Sequence, residues 1–310
     1  MEKFRIVSDL HIDRYLGDTL SFEDDVFTIV AGDTANSIEK SIPWLKKNIK
    51  NGLIISGNHL PYNCDVEKRT IQELREELKK KFPLDGNVTY LDCETGVYSK
   101  CIDGILFIGT CMYTDMMLKS NHPEIISTQE ANMRRSEYQM NDYRYSLKDK
   151  DTKCTAQDFV DCFNKAFTLI DKMLTENEQS ISPKPVVLIT HHSLIRDYIE
   201  YSYYVKSHDE DQLITRDKWY TIGNKIGTLT ASYTSDKINW LKSHNSIKCY
   251  CFGHIHCISK ENRVKEYQHN DGSNFLVVNN ARGYTDRFQD SDFNKDLFVD
   301  TTTWKIIKGK

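Results

Sequence analysis

Side chains that commonly bind metals or move protons stand directly after several short apolar runs of this sequence. Six of the 10 histidines, two aspartates and one asparagine occupy such positions. The motifs are Asp9-Leu10-His11, Gly32-Asp33, Gly57-Asn58-His59, Thr190-His191-His192 and Gly253-His254-Ile255-His256. Because ligands gather at the carboxyl ends of strands in α/β sheets, we expect these motifs to converge on one crevice.

The spacing within the motifs suits metal binding. In Asp-x-His and His-x-His, the alternation of an extended chain points both side chains the same way. The glycines before Asp33, Asn58 and His254 are expected to let the backbone turn tightly as it leaves the sheet. Each motif alone arises often by chance, so the weight lies in finding all of them in order.

The number and type of ligands indicate two ions. Oxygen and imidazole ligands together suit Mn, Fe or Zn, with Ni or Co as substitutes in vitro, and suit Ca poorly. Seven ligands are too many for one four-coordinate site, and they leave open positions on two ions. Two ions about 3.5–4 Å apart can clamp a phosphoryl group. The predicted ligands are Asp9, His11, Asp33, Asn58, His191, His254 and His256.

Taken in order, these motifs resemble those of the calcineurin-like metallophosphoesterase superfamily, and the resemblance extends from Asp9 to His256. It implies an α/β (α+β) fold, a four-layer sandwich of two mixed β-sheets flanked by helices. It also implies that Asp33 bridges the ions, that a water or hydroxide between them attacks phosphorus, and that His59 is the general acid or stabilises the phosphoryl charge. The remaining ligands it divides into two sets, Asp9, His11 and His256 for one ion and Asn58, His191 and His254 for the other.

Two positions depart from the superfamily's pattern. Leu60 follows His59 where the superfamily usually has Asp or Glu, and Asn36 stands where the protein phosphatases carry an Asp that pairs with the catalytic His. An Asn carbonyl can still orient an imidazole, but it stabilises imidazolium less than a carboxylate does. We therefore expect Asn36 to assist His59 in catalysis on a substrate other than a phosphoprotein.

Further segments are similar to a bacterial-type subgroup of the superfamily whose substrates are undefined. They are Gly109-Thr110, Met140-Asn141-Asp142-Tyr143-Arg144, Thr190-His191-His192 and Asn280-Ala281-Arg282-Gly283-Tyr284. Arg144 and Arg282 could each bind a substrate phosphate through two parallel hydrogen bonds, or each form a structural ion pair. His192 could contact substrate or orient His191. The histidines without a motif, expected at the surface, are His122, His208, His244 and His269.

Composition restricts the environment and the partners. The net charge of −4 and pI of about 6.2 disfavour a protein that holds long nucleic acid through its phosphates. No apolar run approaches the roughly 20 residues that span a bilayer, and the start of the chain resembles a strand rather than a signal peptide. The nine cysteines include no Cys-x-x-Cys pair, which argues for a reducing compartment. We expect a cytoplasmic protein, and the sequence does not predict its oligomeric state.

Alternating apolar strands and amphipathic helices must position the motifs. Helices are predicted over residues 67–82, with four apolar residues on one face, and over 155–174, with Thr155 as N-cap. A closing hairpin is predicted at residues 297–300 and 304–307. Strands are predicted at residues 4–7, 27–30, 53–55, 106–108, 186–189, 248–252 and 275–278. One α/β domain over 1–310 follows, with insertions near 111–153 and 196–234 that either cap the site or decorate the surface.

These observations favour an enzyme that hydrolyses a small phosphoester. We expect a nucleotide-type monoester or diester, because the aromatic insertions could stack on a base. One alternative is a nuclease acting on DNA or RNA, which the acidic balance disfavours. Another is a binding or regulatory protein that keeps its metals without turnover, which the retention of every ligand and of His59 disfavours.

Overall fold

In the computed structural model of the protein, two mixed β-sheets of six strands each form the centre of the fold. The described residues are 1–14, 20–22, 24–119, 127–200, 221–222, 225–226, 228–256, 258–284 and 292–308. Helices flank the sheets on their outer faces, so the predicted four-layer arrangement is confirmed. Among the described residues, no helix is both long and apolar enough to cross a bilayer.

The first sheet has the strand order β14-β13-β1-β2-β3-β4. Its strands are β1 (Lys3–Val7), β2 (Thr28–Ala31), β3 (Gly52–Ile55), β4 (Val88–Tyr90), β13 (Leu297–Asp300) and β14 (Ile306–Lys308). The strands β1 to β4 are parallel, whereas β13 and β14 form the predicted closing hairpin and run antiparallel. Four parallel strands next to one another therefore end at the same edge of this sheet.

The second sheet has the order β11-β12-β10-β7-β6-β5. Its strands are β5 (Ser99–Ile102), β6 (Ile105–Thr110), β7 (Val186–Thr190), β10 (Ile247–Phe252), β11 (Val264–Gln268) and β12 (Asn274–Asn279). The four inner strands are parallel, and β5 and β11 are antiparallel edges. A separate short hairpin joins β8 (Thr221–Ile222) to β9 (Lys225–Ile226).

Eight α-helices are described in the chain. They are α1 (Ile38–Asn48), α2 (Cys64–Glu67), α3 (Ile71–Lys81), α4 (Gln129–Gln139), α5 (Asn141–Tyr145), α6 (Ala156–Gln179), α7 (Asp197–Glu200) and α8 (Ile238–Ser243). Apolar side chains of α1 and α3 pack on the outer face of the first sheet, and those of α6 pack on the second. A third buried cluster lies between the sheets, where Ile6 and Ile29 of one belong with Cys249 and Cys251 of the other. These two thiols are buried, as the alternation of their strand predicts.

Side-chain capping sets where the two predicted helices begin. Thr70 and Glu73 form a capping box at the start of α3, so this helix begins four residues later than predicted from 67. Lys68, with φ of 53°, separates it from the one-turn helix α2. Thr155 caps α6 as predicted and forms a capping box with Asp158. The helix continues to Gln179, five residues beyond its last buried residue, Leu174.

Candidate metal centre

The side chains with ligand chemistry lie at the carboxyl ends of adjacent parallel strands. In the first sheet they follow β1, β2 and β3, and in the second they follow β7 and β10. All but one are buried, and the remaining one is half-buried. The structure thus brings together all seven residues predicted to bind metal, namely Asp9, His11, Asp33, Asn58, His191, His254 and His256.

Backbone strain is concentrated at these positions. Asp9, His11, Asp33 and His254 all have positive φ, between 40° and 65°. Non-glycine residues adopt this left-handed region at a cost of about 1–3 kcal/mol each, and such residues cluster at functional sites. Each of these residues follows the end of its strand, so the left-handed backbone lies where the side chains enter the site.

The glycines of the motifs serve the site mainly by leaving room. Gly32 has the positive φ, 93°, that the tight turn was expected to need. Gly57 and Gly253 do not, and what they require is close approach: a Cβ on Gly57 would overlap Oδ1 of Asp33, and one on Gly253 would overlap Oδ2 of Asp9. The chain does turn after both glycines, since the N–H of Leu60 donates to the carbonyl oxygen of Gly57 and that of Ile255 to the carbonyl oxygen of Gly253. Neither turn uses a positive φ at the glycine, so glycine is needed at these two positions for its small size.

One half of the site, here called the Asp9 side, comprises Asp9, His11 and His256. Nε2 of His256 is 2.9 Å from Oδ1 of Asp9 and 3.3 Å from Nε2 of His11. Two ring nitrogens that face each other beside a carboxylate are a typical arrangement around a shared cation. Burial, together with the neighbouring His59, holds the pKa of His11 well below its usual value, which keeps this ring neutral and able to bind a metal.

The other half, the Asn58 side, comprises Asn58, His191 and His254. Nδ1 of His191 lies 2.9 Å from the carbonyl oxygen of Ala31, so Nδ1–H donates there and Nε2 faces the site. That Nε2 is 3.0 Å from Oδ1 of Asn58. A ring nitrogen facing an amide oxygen at this distance requires a proton or a cation between them.

Asp33 lies between the two sides. Its Oδ2 is 3.2 Å from Nε2 of His191 and 3.7 Å from Nε2 of His59. Burial lowers the pKa of His191, but the carboxylate of Asp33 and their hydrogen bond outweigh it and raise that pKa to about 9. Burial likewise raises the pKa of Asp33, and the charges on His191 and His59 reverse this and lower it. The carboxylate of Asp33 therefore favours positive charge at the centre of the site, either on a histidine ring or on a bound cation.

The donor set fits divalent metal ions. Nε2 of His254 is buried and has no hydrogen-bond partner among the described residues. Burial, followed by the charge on His192, holds the pKa of His254 well below its usual value. A neutral, buried, unpartnered ring nitrogen beside an amide oxygen and a carboxylate is suited to a metal and to little else. These buried His and Asp groups could bind metal ions.

His59 is held on both of its ring nitrogens. Nδ1 lies 2.6 Å from Oδ1 of Asn36, which places the two residues together as predicted, and the backbone N–H of His59 donates to Oδ1 of Asp33. Because an amide oxygen only accepts, Nδ1 carries the proton and Nε2 is the acceptor. Nε2 receives the hydroxyl of Tyr284 at 2.9 Å. Burial lowers the pKa of His59.

The predicted substrate residues fall in three different settings. His192 is buried with its ring 4.3 Å from that of His254, and burial and the charge on His191 lower its pKa to about 3. Arg282 is half-buried beside the end of β1, where its guanidinium lies 3.5 Å from the carbonyl oxygen of Leu10.

Arg144, the third predicted substrate residue, has an exposed side chain. It donates hydrogen bonds to Oδ1 of Asn141 and to the carbonyl oxygen of Tyr138, both within its own segment. These contacts do not bring its guanidinium to either side of the site. The residue two positions earlier, Asp142, does reach the site, through Tyr62.

Four residues at the site were not among those predicted to act there. Tyr62 accepts from Nδ2 of Asn58, and Asp142 accepts from the hydroxyl of Tyr62. Tyr233 stacks on His254 with ring centres 4.8 Å apart, and Tyr284 contacts His11 at 4.4 Å as well as His59. Tyr284 and Asp142 lie in segments that the subgroup resemblance includes, whereas nothing in the sequence distinguishes Tyr62 or Tyr233.

Two histidines expected at the surface are buried, so that expectation was wrong for them. His244 lies between Glu178 and Asp171 at 3.0 and 3.2 Å, and His269 contacts the carbonyl oxygen of Ile247 at 2.8 Å. Neither belongs to the metal-binding motifs: His269 follows the edge strand β11, and its Nδ1 has no hydrogen-bond partner among the described residues. His122 and His208 lie outside the described residues.

Comparison with known proteins gives a structural likeness without a sequence match. No family model matches the chain, and no curated protein sequence does. The structure is similar to the crystal structure of phosphopantetheinyl hydrolase (PptH) from Mycobacterium tuberculosis, with a TM-score of 0.58 and 16% sequence identity. The match covers 93% of this chain and 93% of that one. The two proteins therefore share the arrangement of sheets and helices over almost their full lengths.

Proposed function

We propose that the protein hydrolyses phosphoester bonds of small substrates with two divalent metal ions. The observation that carries the proposal is the position of Asp33, which is close enough to ligand atoms on both sides of the site to serve two ions. Bound ions would neutralise charge on the phosphoryl oxygens and supply a water activated for attack at phosphorus. The ligand set favours manganese, iron or zinc.

His59 is proposed to handle the leaving group. Asn36 holds the ring by Nδ1, so Nε2 is the nitrogen that points to the substrate. The hydroxyl of Tyr284 is hydrogen-bonded to Nε2, and the leaving oxygen of a substrate would replace that hydroxyl as the partner of His59. In this arrangement His59 would take a proton from solvent at Nε2 and give it to the departing oxygen, while Asn36 keeps the ring from rotating.

The substrate is proposed to be a nucleotide-type monoester or diester. A second candidate class is a phosphopantetheinyl ester. The structurally similar protein is a phosphopantetheinyl hydrolase, and the similarity covers 93% of both chains. The net charge of −4 supports a small substrate over DNA or RNA. Both candidates place a flat or extended organic group next to a phosphoryl group.

We also propose that residues 111–153 and 196–234, as parts of one domain, determine which substrate fits. Asp142 of the first segment and Ser232 of the second line a recess together with His192. Tyr233 lies against His254. Both segments thus reach the Asn58 side of the site, although residues 120–126 and 201–220, with Trp219, lie outside the described residues.

Turnover of two model esters tests the proposal. Metal-free protein is loaded with Mn, Zn, Ni, Co or Mg, and hydrolysis of bis(p-nitrophenyl) phosphate and of p-nitrophenyl phosphate is compared. We expect metal-dependent hydrolysis of at least one ester and its loss in EDTA. Preference for the diester would favour the phosphodiesterase, whereas no hydrolysis with any metal would support a binding protein.

A further inference from the structure

A chain of hydrogen bonds lies behind the Asn58 side of the site. Nδ2 of Asn58 donates to the hydroxyl oxygen of Tyr62 at 3.1 Å. The hydroxyl of Tyr62 donates to Oδ2 of Asp142, also at 3.1 Å. Asn58 and Asp142 are buried, and they are joined through a tyrosine that belongs to the 3₁₀ turn Leu60–Asn63.

Asp142, at the end of these hydrogen bonds, determines which group donates and which accepts in each of them. The hydroxyl of Tyr62 donates its single proton to Oδ2 of Asp142, since a carboxylate oxygen only accepts. The hydroxyl oxygen of Tyr62 can then only accept from Asn58, and it selects the NH₂ end of the amide. The oxygen of Asn58 is therefore turned the other way, to within 3.0 Å of Nε2 of His191.

This direction matters because the two ends of a carboxamide have nearly the same shape and opposite polarity. An oxygen facing the site can bind a cation, whereas an NH₂ group in the same place repels it. Without a fixed partner, Tyr62 could rotate its hydroxyl and donate to the amide oxygen, which would stabilise the reversed amide. The chain thus controls whether Asn58 is a ligand.

We propose that Tyr62 and Asp142 are positioning residues that fix the amide of Asn58 with its oxygen toward the metal. The inference rests on the proposed two-metal site and adds two residues to it that were not predicted to act there. It also gives α5 a role beneath the site: helix α5 lies against the turn Leu60–Asn63 and supplies the carboxylate that orients a ligand from another part of the chain.

Two conservative variants test the proposal without removing a ligand. Tyr62→Phe deletes the acceptor for Asn58, and Asp142→Asn replaces an acceptor that fixes direction by an amide that can also donate. The affinity for Mn(II) at the Asn58 side should fall by about 10–100-fold in each, as for other partners of metal ligands, while the Asp9 side keeps its affinity. The double variant should be little worse than either single one, because both act through one chain.

Tyr145→Phe is the matched control. It makes the same chemical change in a ring 5.7 Å from that of Tyr62, and it lies outside the hydrogen-bond chain. Isothermal titration of the metal-free proteins gives the two affinities, and electron paramagnetic resonance separates a coupled Mn pair from a lone Mn ion. At limiting metal, we expect the coupled Mn pair in the wild type and in Tyr145→Phe. We expect the lone Mn ion in Tyr62→Phe and Asp142→Asn.

The outcomes separate this inference from the proposed function. A wild-type affinity for both ions in Tyr62→Phe and Asp142→Asn would overturn it, and so would an equal loss at both sides together with lower thermal stability of the metal-free protein. Wild-type protein that binds no ion at the Asn58 side would overturn it as well. Two bound ions, selectively lost in the variants, support it even if the wild type hydrolyses no phosphoester.

Discussion

The Asp9 side and the Asn58 side of the candidate site hold their oxygen ligands in different ways. The carboxylate of Asp9 receives the backbone N–H of His254 at 3.1 Å on Oδ1 and at 2.9 Å on Oδ2. The amide of Asn58 is held by side chains, Tyr62 and behind it Asp142. A carboxylate has two equivalent oxygens, so one backbone donor suffices. The two ends of an amide differ, so its orientation must be fixed, and the hydrogen bonds through Tyr62 and Asp142 do this.

Replacing the residue between the two sides should have the largest effect. Asp33→Asn removes the charge that serves both halves of the site, so affinity should fall for both ions. Hydrolysis should drop by more than the roughly 10–100-fold typical of losing a partner of a ligand. Metal titration and initial rates measure both. Retention of one tightly bound ion with near-normal rates would show that Asp33 is not shared.

Removal of His59 should rank next and should depend on the leaving group. For His59→Ala, kcat should fall by about 10²–10⁴-fold with an alkyl ester, whose leaving oxygen needs a proton. The loss should be much smaller with p-nitrophenolate. Asn36→Ala should change kcat in the same pattern by a smaller factor, since it removes only the partner of Nδ1. Equal losses with both esters would assign His59 to phosphoryl charge or metal geometry.

Two glycines allow the comparison to be sharpened by a single methyl group. Gly253→Ala would push mainly on Oδ2 of Asp9 and less on Nδ1 of His191, at 3.0 Å, so it should weaken the ion of the Asp9 side more than the other. Gly57→Ala would push on Asp33 and should weaken both ions. A loss of about 10–100-fold in affinity is expected at each affected side. Gly104→Ala is the control, since its methyl group meets nothing within 4 Å and its φ of +80° strains the backbone alone. Identical titration curves for all three would contradict the assignment of these contacts.

The smallest effect on the site is expected from the two tyrosines of α5. Tyr143 is buried, with its ring 5.3 Å from that of Phe159, so Tyr143→Ala should lower the free energy of unfolding by about 3–5 kcal/mol. Tyr145 is 38% exposed and lies over Tyr62 on the Asn58 side. Tyr145→Ala should leave stability within about 0.5 kcal/mol and raise KM for substrates with an aromatic group. Urea unfolding and steady-state kinetics measure the two effects, and an unchanged KM would remove Tyr145 from substrate binding.

The sequence predicts the ligand motifs and the parallel strands because both are local patterns. A motif such as Gly253-His254-Ile255-His256 and the apolar run before it lie within a few residues of each other, and strand ends converge by a general rule. The partners of the ligands are not local. Tyr62 and Asp142 are 80 residues apart, and Tyr284 and His59 are 225 apart, so no spacing reveals them.

Helix boundaries and the burial of single residues also depend on interactions that a local sequence pattern does not contain. The capping box at Thr70 lies inside the predicted helix, and apolar periodicity does not register it. Helix α1 is not predicted, since it contains Pro43 and its apolar face is short. His244 and His269 are buried by hydrogen bonds to distant parts of the chain, which residue type alone does not indicate.

The most direct test of the two-metal account is a titration of metal-free protein with Mn(II) in which bound ions and hydrolysis of bis(p-nitrophenyl) phosphate are followed in the same samples. The account predicts two bound ions per chain, with hydrolysis that rises as the second ion binds and disappears in EDTA. Full hydrolysis with a single bound ion and no second site, or hydrolysis that survives EDTA, would contradict it.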